Sequence, residues 1–99
     1  MRVILVDDEY LALQYLSGLL DNFEDVELIG VYMNSYEALE AILRKKPAIV
    51  FLDIEMPEMT GVELAEQIQH SLPTTSIVFT TAYSEYAVKA FEVNALTIF

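Results

Sequence analysis

Asp7 and Asp8 stand side by side after a short apolar run, Asp53 follows a second such run with Glu55 two residues further on, and Thr80 and Thr81 follow a third. Carboxylates brought together in this way either bind a cation or share a proton. Like charges ~4 Å apart repel by roughly 1 kcal/mol in water and about 4 kcal/mol at a protein surface. The chain has no cysteine and its one histidine, His70, lies far from these acids in sequence, so the ligands would be oxygens only. Oxygen ligands with room for water suit magnesium, and manganese could substitute; calcium would want more ligands. A carboxylate beside such an ion can attack a phosphoryl donor and become an acyl phosphate. Asp53 is the candidate nucleophile, because it stands beyond the most apolar run, and the Thr81 hydroxyl could donate to a phosphoryl oxygen and draw its loop inward.

These residues meet only if the elements before them are neighbours. Val3 to Val6, Ala48 to Leu52 and Ile77 to Phe79 are short apolar runs that read as strands covered on both faces. Val26 to Tyr32 is a more polar strand, nearer an edge, and Ala95 to Phe99 is a fifth candidate. Between them, Leu13, Leu16, Leu20 and Phe23 recur at helical spacing, as do Ala38 or Leu39 with Ile42 and Leu43, and Leu64, Ala65, Ile68 and Leu72. Tyr83, Ala87, Ala90 and Phe91 follow the pattern more loosely. Asn34 with Glu37, and Thr60 with Glu63, have the spacing of capping boxes, and Pro47 and Pro73 stop the second and third helices. Alternating strands and helices predict an α/β fold: a doubly wound, flavodoxin-like parallel sheet of order 2-1-3-4-5. In such a sheet the strand ends open on one crevice, where Asp7, Asp8 and Asp53 would share a site.

Each residue also has a plainer reading. Asp8 could cap the first helix, Asp53 could be a solvated loop acid, and Thr81 could satisfy a turn. Gly61 would serve a close turn, His70 a helix end, and Tyr83, Tyr86 and Phe91 a core or interface. Proximity of Asp7 and Asp8 to Asp53 favours the metal-binding reading.

Composition narrows the class. With 99 residues the chain fits one domain, and sixteen acids against five bases give a formal charge of −11. That field repels phosphate backbones and anionic lipids, so no direct nucleic-acid or membrane binding is expected of this segment. Although 55% of residues are hydrophobic, no run approaches the ~20 residues of a membrane span. The start shows no export signal, and a cytoplasmic protein is expected.

Asp7-Asp8-Glu9, Asp53 with Met56-Pro57 and Gly61, and the Thr81-Ala82 pair together resemble the receiver domains of bacterial two-component response regulators, along essentially the whole chain. The resemblance implies a phosphoacceptor rather than an enzyme: Asp53 phosphorylated by a sensor histidine kinase, Thr81 as the switch hydroxyl, and an interaction surface that switches. It implies that Asp8 and Asp53 ligate Mg2+ directly, Asp7 through water, and Glu55 through its backbone carbonyl. Glu55 and Tyr83 fall where receivers vary the groups that set the lifetime of the phosphoryl bond. Tyr83 to Leu96 is similar to the subgroup joined to LytTR-type and other transcriptional output domains.

The chain departs from that subgroup after Leu96, where Thr97-Ile98-Phe99 stands in place of Asp-Tyr, two apolar residues and Lys-Pro. The family lysine and fifth helix are therefore missing from residues 1–99, a receiver incomplete at its C-terminus with no output domain. Loss of the lysine removes a charge-assisted bond worth roughly 1.5 to 3 kcal/mol, and Ile98 stands where a switching aromatic is common. Open apolar surface leads to the expectation of a homodimer, packed directly or by exchange of an element. A switch-defective receiver acting as a binding or dimerisation module is the alternative. An aspartate-nucleophile hydrolase built on Asp53-Ile54-Glu55 is the third reading, but such enzymes usually place the nucleophile after the first strand and need a lysine and a cap.

Overall fold

The computed structural model describes residues 1–80 together with the backbone of residues 97–98. Within it β1 (Arg2–Val6), β2 (Glu27–Tyr32), β3 (Ile49–Asp53), β4 (Ser76–Thr80) and β5 (Thr97–Ile98) form one sheet of order β2-β1-β3-β4-β5. Every adjacent pair is parallel. This is the doubly wound, flavodoxin-like arrangement expected from the alternation of apolar runs and helical patterns. The more polar β2 takes an edge, as its composition predicts.

Strand order decides which face each helix covers. The chain runs outward from β1 to β2 and then back across to β3 and β4, so right-handed crossovers put α1 (Tyr10–Leu20) on one face. The same rule puts α2 (Ser35–Lys45) and α3 (Gly61–Ser71) on the other. Alternation along the strands feeds both sides. Ile4, Val6, Val50, Leu52, Ile77 and Phe79 pack toward Ala38, Ile42, Leu64, Ala65 and Ile68, while Val3 and Leu5 pack with Leu13. A fully buried side chain such as Phe79 contributes roughly 1.5–3 kcal/mol over its exposed state.

The start of α3 has the full capping box read from sequence, while α2 has the Asn34 side-chain cap without the reciprocal Glu37 bond. Asn34 Oδ1 accepts from the N–H groups of Tyr36 (2.9 Å) and Glu37 (3.0 Å) at the start of α2. Thr60 and Glu63 form a reciprocal capping box on α3, Thr60 N–H to Glu63 Oε1 at 2.9 Å and Glu63 N–H to Thr60 Oγ1 at 3.2 Å. Lys46, at φ 51°, ends α2 in the left-handed region before Pro47, which disfavours a helical residue ahead of it.

Strand and helix ends shift by a residue or so from the sequence reading, and three of the shifts bear on the site or the core. Phe23 lies beyond the end of α1, in a turn closed by its N–H on the Leu20 carbonyl (3.1 Å), and is 56% exposed. Asp53 and Thr80 are the last residues of β3 and β4 rather than the first residues past them, because the ladder continues through their pairing. The expected fourth helix and Thr81, Tyr83, Tyr86 and Phe91 lie outside the described residues.

Candidate metal and phosphoryl site

Asp7 follows β1 directly, its N–H bonded to the Tyr32 carbonyl of β2 at 3.1 Å. Asp8 comes next, and Asp53 closes β3, the strand beside β1. The topology therefore brings an adjacent pair of acids against a third that is remote in sequence, with carboxylate oxygens of Asp7, Asp8 and Asp53 all within 4.8 Å of one another. Asp7 is buried, while Asp8 and Asp53 are half-buried. The helix-cap reading of Asp8 fails, since Glu9 holds the N-cap position of α1 and no side chain caps it. Instead Asp7 Oδ1 accepts from the Glu9 N–H at 2.9 Å, fixing the turn that carries both acids.

Electrostatics show that the cluster is out of balance by itself. Burial, then the charges of Asp7 and Asp8, push Asp53 up from 3.8 to about 7, against hydrogen bonds from the Glu55 and Ile54 backbones that favour its carboxylate. Asp7 is also raised, first by burial and then, despite the bond from Glu9, by the charges of Asp8 and Glu9. Three converging carboxylates, two of them pushed toward protonation, are a donor set that fits a hard cation: a metal would supply the charge that the protein does not.

The loop from β3 to α3 forms the other wall. A cavity of about 470 Å³ opens beside the cluster, lined by Asp8, Glu55, Met56, Pro57 and Thr60 among others. The loop is drawn tight by the Gly61 N–H, which donates to the Ile54 carbonyl at 2.8 Å. A Cβ at Gly61 would lie 2.0 Å from the Asp53 carbonyl oxygen and 2.7 Å from Ile54 Cα. Only glycine lets α3 start this close beneath Asp53, a closer demand than the turn expected from sequence. Thr80 pairs with Asp53 across the sheet, and its buried hydroxyl has no hydrogen-bond partner among the described residues.

Of the residues singled out in the sequence, the structure thus gathers Asp7, Asp8, Asp53 and the Glu55 segment; Thr81 is outside the described residues. His70 is exposed in the last turn of α3, away from the cluster.

Residues 3–99 match the profile of the response regulator receiver domain. The sensory transduction protein LytT of Bacillus anthracis is 44% identical over 96 residues, covering 97% of this chain and 39% of that protein. The transcriptional regulatory protein BtsR of Salmonella typhi is 41% identical over 95 residues, covering 96% of this chain and 39% of that protein. The chain therefore spans about two fifths of these relatives' length. Among solved structures, the response regulatory domain of mrkE from Klebsiella pneumoniae superposes with a TM-score of 0.92 at 39% identity, covering 99% of this chain and 80% of that one. The response regulator domain of CheB from Thermotoga maritima superposes with a TM-score of 0.90 at 25% identity, covering 100% and 76%.

Proposed function

The chain belongs to the response regulator receiver family, and on that premise we propose that Asp53 is its phosphoacceptor, served by a divalent cation held by Asp7, Asp8, Asp53 and the Glu55 carbonyl. Receiver domains are signalling domains rather than classical enzymes. The ion is Mg2+, with Mn2+ able to replace it, and when bound it supplies positive charge opposite the transferring oxygens. The observation that carries the reading is the approach of the three carboxylates to within 4.8 Å at the end of β3.

The chain's own residues prepare Asp53 in three ways. The Ile54 and Glu55 backbones donate to its carboxylate, favouring the charged form that attacks. Burial first, and then the charges of Asp7 and Asp8, hold it near protonation, and a cation that offsets those charges would favour the nucleophilic carboxylate. The cavity beside Asp8 and Glu55 gives the phosphoryl group a place to arrive. In the transfer an Asp53 oxygen bonds to phosphorus as the bond from phosphorus to the kinase histidine nitrogen breaks, so the imidazole leaves with that electron pair. The Thr81 hydroxyl then donates to the phosphoryl group and moves its loop, and the acyl phosphate is later lost to water with the domain's own assistance.

The donor is a sensor histidine kinase and the setting cytoplasmic, and the signal serves the control of transcription, a role supported by the name of the relative BtsR, a transcriptional regulatory protein. A charge of −11 opposes direct contact of this segment with DNA. Among the described residues no helix is long and apolar enough to cross a membrane. Incubation with Mg2+ and a small acyl phosphate tests the reading: intact mass should rise by one phosphoryl group in the wild type and not in Asp53→Asn. An unchanged wild-type mass would overturn it.

One observation favours a second reading, a receiver that acts through self-association. On the α1 face lies an apolar groove of about 550 Å³, lined by Val3, Tyr15, Leu19, Phe23, Ile49 and Phe51 among others. A second copy, either packed directly or exchanging an element, would cover this apolar lining. The shared negative charge makes such a dimer tighter at higher salt.

A further inference from the structure

We propose that Ser35, the first residue of α2, is a positioning residue for the cation site: its hydroxyl holds the β3–α3 loop in place beneath the acids. Ser35 is 3% exposed and stands on a different element from every candidate ligand. Its Oγ donates to the Met59 carbonyl at 2.7 Å, with the Met56 sulfur at 3.7 Å as a weaker second acceptor for the same proton. Both acceptors belong to the loop that carries Glu55.

That loop needs an external hold. Its ends are fixed, by the Gly61 N–H on the Ile54 carbonyl and by the Thr60–Glu63 capping box. In its middle the Met56 and Met59 side chains are buried in the core, but the backbone passes through Glu58 at φ 67°, a left-handed conformation that a β-carbon disfavours. The Ser35 bond to Met59 grips the loop next to that residue. Alanine would nearly fill the same buried space, and among the described residues the hydroxyl bonds to the loop carbonyl and sulfur alone.

The anchor itself is rigid. Asn34 caps the helix on which Ser35 sits, and Ala38, Ala41 and Ile42 bury that helix against the core. The same short segment also holds the opposite side of the site, because the Tyr32 carbonyl at the end of β2 accepts from the Asp7 N–H. The stretch from Tyr32 to Ser35 thus grips both the turn with Asp7 and Asp8 and the loop with Glu55, and sets the distance between them.

The inference rests on the reading of the acids as a cation site, and two independent measurements separate the two. Amide hydrogen exchange of residues 54–60 is measured without metal, and Mg2+ binding by titration calorimetry, for wild type, Ser35→Ala and Ile68→Val. The last loosens the α3 core at a residue away from the loop. In Ser35→Ala, exchange across the loop rises about tenfold and Mg2+ binding weakens by about three- to tenfold, the size expected for one buried hydrogen bond. Ile68→Val leaves both at wild-type values once global stability is matched by temperature. Ser35→Cys, which is slightly larger and donates weakly, carries the same expectation should Ser35→Ala not fold. Wild-type exchange in the loop of the Ser35 variant overturns the proposal. So does equal Mg2+ affinity in a wild type that binds the ion. If wild type gives no binding heat, the cation reading falls and the exchange measurement alone decides the tether.

Discussion

Replacing Asp53 by asparagine should stabilise the metal-free protein, and by an amount that depends on pH. In the folded chain Asp53 keeps its proton up to about 7, against 3.8 ordinarily, chiefly through burial and then through Asp7 and Asp8. A folded acid with a raised value binds more protons than the unfolded chain, so its stabilising contribution is complete below about pH 4 and is lost as pH rises through 7. Some three pH units at 1.36 kcal/mol each would come to about 4 kcal/mol, and water reaching a half-buried carboxylate cuts this to about 2 kcal/mol. Asparagine keeps an oxygen to accept from the Ile54 and Glu55 backbones but carries no charge. Asp53→Asn should therefore match wild type near pH 4 and exceed it by about 2 kcal/mol at pH 8, a rise in Tm of about 8–16 °C. Thermal melts followed by circular dichroism from pH 4 to 8 in the presence of a chelator read this difference directly. Saturating Mg2+ should close most of the gap at pH 8 by stabilising wild type. A gap that stays constant across the pH range, or wild type the more stable at pH 8, would refute the reasoning.

Gly61→Ala pushes a methyl group into the Asp53 carbonyl and should cost about 3 kcal/mol by chemical denaturation, with slower phosphorylation by a small donor because Asp53 itself is displaced. Thr80→Val removes a buried hydroxyl that has no partner among the described residues while keeping the shape, and should raise stability by about 1 kcal/mol or more; a loss of stability would mean that the hydroxyl is satisfied in solution. Asp8→Ala should weaken Mg2+ binding at least tenfold in calorimetry while stabilising the metal-free form at pH 8, since it removes one of the charges acting on Asp53. Sedimentation at about 0.5 M salt should show more dimer than at low salt, and Phe51→Glu on the α1 face should abolish it.

The sheet is legible in the sequence because its strands are coded twice. Val50 and Leu52 face one layer of helices while Ile49 and Phe51 face the other, so β3 has to read as an apolar run, and the helices between strands leave only parallel crossovers. Asp7, Asp8 and Asp53 are legible as a site because strand-end positions in such a sheet converge whatever lies between them. Anything set by an approach of backbones is not. The clash that Gly61 avoids depends on how closely α3 starts beneath Asp53, and a glycine at a helix start can equally serve a plain turn. The role of Ser35 depends on a contact with Met59, 24 residues away, between two elements whose separation no local pattern encodes. Asp53 and Thr80 read as lying one residue past their strands for a related reason, as polar residues end an apolar pattern before the ladder itself ends. Phe23 continues the helical period of α1 in sequence, although the chain turns at Leu20 and leaves the ring exposed.

Diffraction from crystals grown with Mn2+, recorded at a wavelength where manganese scatters anomalously, tests the central claim most directly. The account predicts one strong peak among Asp7, Asp8 and Asp53, within about 2.2 Å of carboxylate oxygens of Asp8 and Asp53 and of the Glu55 carbonyl oxygen. A map in which manganese occupies only scattered surface acids, with those three side chains turned away from a common point, would contradict it.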